Sequence, residues 1–201
     1  MIILTSNGLS SAALLREAGK FVPAQGKAVI ITTASLGYKE KDWHIPRLTK
    51  ELGQLGLSIA YFDFDFEAAE TLLSYDVVEI LGGNPFHLLK HLQLEKNKAA
   101  IQKIAEEKVL IGISAGTLVL QRNIRLVAQY SPEMNEEIGL TDLSGLGLTD
   151  LEILPHYHRY MERFERFEEL AQQYEKDNGC DILRLDDGEA IFIHHDQVYK
   201  I

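Results

Sequence analysis

The chain has 201 residues, with 30 acidic against 20 basic side chains and a formal net charge of −10, a balance that disfavours nucleic acid and anionic membrane surfaces as partners. At this length a core can form without disulfides, and the lone Cys180 has no intrachain partner in any case. The opening Met1-Ile2-Ile3-Leu4-Thr5-Ser6-Asn7 lacks a basic segment and turns polar too soon for a signal peptide, and no apolar run approaches a bilayer span, so a cytoplasmic protein is expected.

In chain order, short apolar runs rich in β-formers alternate with helical patterns. Strands are expected over 1–4, 28–32, 59–62, 77–81 and 109–113, and helices over 10–20, 42–55, 67–74, 85–92 and 95–107. Continuously apolar strands separated by helices imply a parallel sheet covered on both faces, so the fold class is α/β, doubly wound. After residue 120 the pattern loosens into a polar stretch, 127–151, which holds Ser131-Pro132-Glu133 and Gly145-Leu146-Gly147-Leu148. A connection this long in a compact domain usually serves a function. A short apolar stretch at 151–153 and a long helix over 160–177 follow. The chain then closes with a strand at 182–185, the turn Asp186-Asp187-Gly188 and a hairpin of 190–194 with 198–201. No linker, repeat or composition break divides the chain, which reads as a single domain over 1–201.

Three segments carry candidate chemistry, each after an apolar run that ends where open α/β sheets bind ligands. Gly112-Ile113-Ser114-Ala115-Gly116 leads from a strand into a helix, and small residues around Ser114 let the backbone turn sharply, which lifts the hydroxyl out of the sheet. The pentapeptide alone also fits an ordinary turn; its strand-turn-helix setting favours a nucleophile. Gly82-Gly83-Asn84-Pro85 permits close backbone approach, with Asn84 as helix cap and Pro85 at the first helical position. In Leu154-Pro155-His156-Tyr157-His158 a neutral imidazole could take a proton from serine, although either histidine could be a satisfied structural residue. No Cys, His or Asp pattern around His156 and His158 completes a metal site, so no metal or other cofactor is expected.

These pieces, in this order and with the closing Asp187-Gly188-Glu189-Ala190, resemble the peptidase E family of serine dipeptidases, which cleave after amino-terminal aspartate. The resemblance spans most of the chain. It implies a three-layer α/β/α sandwich with a mostly parallel sheet, of the glutamine-amidotransferase-like (flavodoxin-like) kind, acting on a small peptide as a homodimer. It further implies Ser114 as nucleophile, His156 as base and an oxyanion hole from the N–H groups of Gly83 and Ala115. Asn84, beside that hole, is counted with the substrate-binding residues.

Two departures from the family pattern stand out. The dipeptidase has an aspartate between serine and histidine, but 125–133 contains none; Glu133 is chosen to orient the imidazole, with Glu136, Glu137 and Asp142 as rivals. The family's Thr-Arg-Glu motif is also missing. Arg159, Arg163 and Arg166 stand instead among glutamates at helical spacing, a pattern that also describes an ion-paired solvated face. Arg159 and Arg163, nearest the histidine, are taken as the substrate-binding cations. An esterase, a cyanophycinase-like hydrolase and a catalytically silent binding protein of the same fold are the alternatives.

Overall fold

Alternation along the strands sorts apolar side chains into two clusters, one on each face of a central sheet. The computed structural model describes residues 1–195 and 197–201. The sheet contains β1 (Ile2–Thr5), β2 (Lys27–Ile31), β3 (Ser58–Phe62), β4 (Val77–Ile80), β5 (Val109–Ile113), β8 (Ala190–His194) and β9 (Gln197–Lys200), in the order β3-β2-β4-β5-β1-β8-β9. The first five are mutually parallel, and β8 and β9 extend the β1 edge antiparallel. A separate parallel pair is formed by β6 (Glu152–Pro155) and β7 (Ile182–Leu185).

Val29, Ile31, Val78, Ile80 and Leu110 face a cluster that includes α3 (Pro85–Leu92), α4 (Glu95–Glu107), α5 (Ala115–Leu120), α6 (Arg125–Tyr130) and α8 (Phe167–Asn178). Ala28, Ile30, Val77 and Ile111 point the other way, toward α1 (Ala12–Ala18) and α2 (Ile45–Gln54). Helices therefore cover both faces, as continuously apolar strands require. Glu79 on β4 breaks the pattern. It is fully buried with an unpartnered carboxylate, and burial pushes its pKa up to about 8, so it is held protonated near neutrality. Among the described residues no helix is long and apolar enough to cross a membrane.

The structure differs from the expected elements in three places. The helix expected over 160–177 is two helices, α7 (Tyr157–Arg163) and α8. Phe164 is extended and Arg166 is left-handed at φ 55°. The break brings Tyr160, Phe164 and Phe167 together on Tyr130, with ring centroids 5.0–6.1 Å from it, and that aromatic burial outweighs helical continuity. The stretch 127–151 is partly ordered by α6, by a 3-10 turn at Pro132–Asn135 and by a bridge between Asn123 and Ser144. The segment expected as a helix over 67–74 is a 3-10 helix, Ala69–Ser74.

Candidate active site

The carboxyl ends of β1, β4 and β5 lie side by side, and Ser114 follows β5 directly. Its backbone is held at φ 51° and ψ −108°, a conformation that L-residues avoid unless their surroundings enforce it. The Ser114 N–H donates to the Thr5 carbonyl at 3.1 Å, and the Ser114 carbonyl accepts from Leu118 N–H at 2.9 Å. Thr117 Oγ1 ties the same turn to β1, accepting from Thr5 N–H at 3.1 Å and donating to the Thr5 carbonyl at 2.7 Å. A side chain at Gly116 would place its Cβ 2.3 Å from the Ile80 carbonyl oxygen, so only glycine lets α5 pack this close to β4.

The second turn follows β4. Gly83 has φ 137°, and a Cβ there would lie 2.3 Å from the Ala34 carbonyl oxygen. Asn84 N–H donates to that carbonyl at 2.8 Å, whereas the N–H groups of Gly83 and Ala115 find no protein acceptor among the described residues. Both residues line a cleft of about 610 Å³ shared by Ser114 and His156. That volume lies in the range of small-ligand sites, about 300–1,000 Å³.

His156 opens α7 from the end of β6, in the left-handed region at φ 58° and only 6% exposed. Its Nδ1 lies 2.5 Å from Asp187 Oδ1 and 2.9 Å from Ser6 Oγ. Ser6, the residue after β1, accepts from His156 N–H at 2.8 Å and donates to Asp187 Oδ1 at 2.6 Å. With an ionised Asp187, this pattern puts the imidazole proton on Nδ1 and leaves Nε2 as the lone-pair nitrogen. Burial lowers the His156 pKa from its ordinary value, only partly offset by Asp187. For Asp187, burial pushes upward but is outweighed by the hydrogen bonds from Ser6 and His156, and the pKa is lowered. The hydrogen bonds of His156 all lie on its backbone and Nδ1 side; none joins it to Ser114 in this geometry.

The model of peptidase family S51 matches residues 2–201. The chain belongs to peptidase family S51. An uncharacterized peptidase of Listeria monocytogenes serovar 1/2a is 29% identical over 181 residues, covering 87% of this chain and 85% of the relative. An uncharacterized peptidase of Pasteurella multocida is 26% identical over 141 residues, 68% of each chain. A crystal structure of a Listeria monocytogenes EGD-e protein, provisionally assigned as peptidase E, superposes with a TM-score of 0.77 at 26% identity, covering 100% of this chain and 96% of its own. A peptidase from an acI-B1 Actinobacterium, at 14% identity and a TM-score of 0.74 over 100% of this chain and 86% of that one, shares the fold. The three-layer α/β/α architecture expected from the resemblance is thus the observed one.

In this S51 peptidase the expected site residues separate into two groups. Ser114, His156, Gly83, Ala115, Arg159 and Arg163 share the cleft. Glu133 does not: it is exposed on the 3-10 turn, and its Oε1 accepts from Ser131 Oγ at 2.5 Å. The rivals Glu136, Glu137 and Asp142 are also exposed and have no contact with His156, whose carboxylate partner is Asp187. Asn84 is committed elsewhere too. Its Oδ1 caps α3 by accepting from Phe86 and His87 N–H, and its Nδ2 donates to the Met134 carbonyl at 2.7 Å. His158 is 80% exposed and bonds Asp186, and Arg166 pairs with Glu169 in solvent.

Arg159 reaches Asp187 at 3.4 Å, whereas Arg163 lies over the Phe164 ring at 5.0 Å with no ion-pair partner among the described residues. Ser6, Asp187 and Arg47 are additions to the residues read from the sequence. Arg47 also lines the cleft, bonded to Glu51. A sequence signal for Asp187 existed in the Asp186-Asp187-Gly188 turn after a strand. It becomes decisive only with the β6–β7 register, which pairs Pro155 with Leu185 and so sets the residues following each strand beside one another.

Proposed function

We propose that this peptidase is of the serine type, with Ser114 as nucleophile, His156 as general base and Asp187 as the carboxylate that orients it. The observation that carries the reading is the 2.5 Å contact between His156 Nδ1 and Asp187, which presents Nε2 as a proton acceptor in the cleft that holds the strained Ser114. Ser114 Oγ attacks the scissile carbonyl as its proton passes to Nε2. The carbonyl oxygen gains negative charge facing the N–H groups of Gly83 and Ala115, at the first turn of α5. His156 then returns the proton to the departing amine as the C–N bond breaks. A water, deprotonated by His156, hydrolyses the acyl-enzyme ester and restores Ser114.

The preferred substrate is a dipeptide with an amino-terminal aspartate. Arg163 supports that preference as a cleft cation without a carboxylate partner among the described residues, since a partly buried substrate carboxylate needs such a charge. Arg159 and Arg47 are already partly neutralised by Asp187 and Glu51. The test is labelling by a fluorophosphonate combined with hydrolysis of Asp-Leu, Asn-Leu and Ala-Leu. Wild type should be labelled at Ser114 and should cleave Asp-Leu fastest, with Arg163→Met removing the preference. Absence of Ser114 labelling in a protein that hydrolyses any of the three would overturn the mechanism, and equal rates on all three would overturn the specificity.

A further inference from the structure

A second group of ligating side chains sits on α3, the helix that starts at the Gly83 turn. His87 and His91 are four residues apart on this helix, so both imidazoles project from one face. Asp65, in the loop after β3, completes the group. Its Oδ1 lies 2.9 Å from His91 Nε2 and its Oδ2 3.3 Å from His87 Nε2. One ligand atom from each of the three residues lies within 4.8 Å of the other two. None of them lines the catalytic cleft.

We propose that Asp65, His87 and His91 form a binding site for a divalent transition-metal ion of the zinc type, which clamps the loop after β3 onto α3. Two imidazole nitrogens and one carboxylate oxygen are donors that zinc takes at about 2.0–2.2 Å, and a tetrahedron on such bonds separates neighbouring donor atoms by about 3.3–3.6 Å. The two Asp65 contacts, at 2.9 and 3.3 Å, lie at or just below that spacing. Calcium and magnesium prefer a shell of oxygens, which two imidazoles do not supply. Three protein ligands leave a fourth position for water.

The backbone behind the site is fixed on both sides. His87 N–H is capped by Asn84 Oδ1 at 3.1 Å, and Asp65 N–H donates to Asp63 Oδ1 at 3.1 Å. The Phe64 ring is stacked against His91, with centroids 6.4 Å apart. Lys39 is the built-in competitor: its Nζ pairs with Asp65 and also lies 2.8 Å from Asp63 Oδ2. A metal ion on Asp65 displaces an ammonium that retains Asp63, so the affinity is set against Lys39 and rises when Lys39 is removed.

The test is a titration of chelator-treated protein with zinc chloride by calorimetry, with cobalt(II) chloride followed by visible absorption. One equivalent of zinc per chain should bind, with affinity reduced at least tenfold in His87→Gln and in His91→Gln and increased in Lys39→Met, all three checked for folding by circular dichroism. Cobalt should give the strong visible bands of a four-coordinate nitrogen and oxygen site. Absence of saturable binding by wild type, or equal zinc affinity in wild type and both folded histidine variants, would overturn the proposal. Should those variants fail to fold, the wild-type cobalt spectrum decides, and the weak bands of a six-coordinate aqua-like ion would count against the site.

Discussion

Ser114 and His156 both hold positive-φ backbone, at φ 51° and φ 58°, where a non-glycine residue stores about 1–3 kcal/mol of strain, yet the two are fastened by different means. The serine turn is clamped within the sheet: β1 takes its N–H and bonds the nearby Thr117 hydroxyl, and α5 packs on β4 through Gly116 with no room for a side chain. The histidine turn is held by side chains, Ser6 from the end of β1 and Asp187 from the turn after β7, which are 150 and 31 positions away in the chain. One half of the site is therefore a property of the sheet, and the other depends on three side chains meeting. Damage to the first should appear as lost stability, and damage to the second as lost rate in addition.

The largest effect tests whether the halves form one catalytic unit. Ser114→Ala and His156→Ala should each lower kcat on the best dipeptide by about 10⁴-fold or more, and the double variant should be little worse than either alone. Additive losses in steady-state kinetics would break the unit apart. A smaller pair of effects separates the two modes of fastening. Gly116→Ala should destabilise the fold by about 1–3 kcal/mol through overpacking against Ile80, read as a lower denaturation midpoint. Ser6→Ala should lower kcat about tenfold in addition to a stability cost of about 1–3 kcal/mol, because the buried His156 N–H loses its acceptor and Asp187 loses a donor. If Ser6→Ala unfolds the protein while Gly116→Ala does not, the comparison is inverted.

The smallest effect is a shift along the pH axis. Protonated His156 cannot accept the serine proton, so kcat/KM should rise with pH through the folded-state pKa of His156. Burial disfavours the imidazolium and lowers that pKa, so the acid limb should have its midpoint below the ordinary histidine value of about 6.5. Asp187→Asn removes the charge that partly offsets burial and should move the limb lower still. A wild-type midpoint above 7 would mean that Asp187 outweighs burial.

The contrast between the two halves also explains what could be read from the sequence. Strands β1, β2, β4 and β5 are buried on both faces and appear as largely apolar runs, with Glu79 the charged exception inside β4, and the Ser114 and Gly83 turns are marked by glycines within a few residues of the groups they position. The terminal hairpin was visible as well, as the two apolar runs at 190–194 and 198–201 that pair as β8 and β9. Asp187 was legible only as a turn residue, because its partnership with His156 depends on β6 pairing with β7, and neither strand carries a mark of the other. Glu133 was the reasonable choice between serine and histidine along the chain, but the 3-10 turn at Pro132–Asn135 directs it to Ser131 and solvent. The break between α7 and α8 was hidden for a related reason: helical periodicity continues across Phe164, and only the aromatic packing on Tyr130 shows why the helix stops.

On the proposed mechanism Asp187, and not a carboxylate of the 130s loop, orients His156. The most direct test is a comparison of kcat for Asp187→Asn and Glu133→Gln on the same dipeptide, with both variants shown to be folded. Asp187→Asn should lose about 10²–10⁴-fold, by loss of the productive imidazole tautomer, and Glu133→Gln should stay within about twofold of wild type. A large loss in Glu133→Gln with Asp187→Asn near wild type would contradict that assignment.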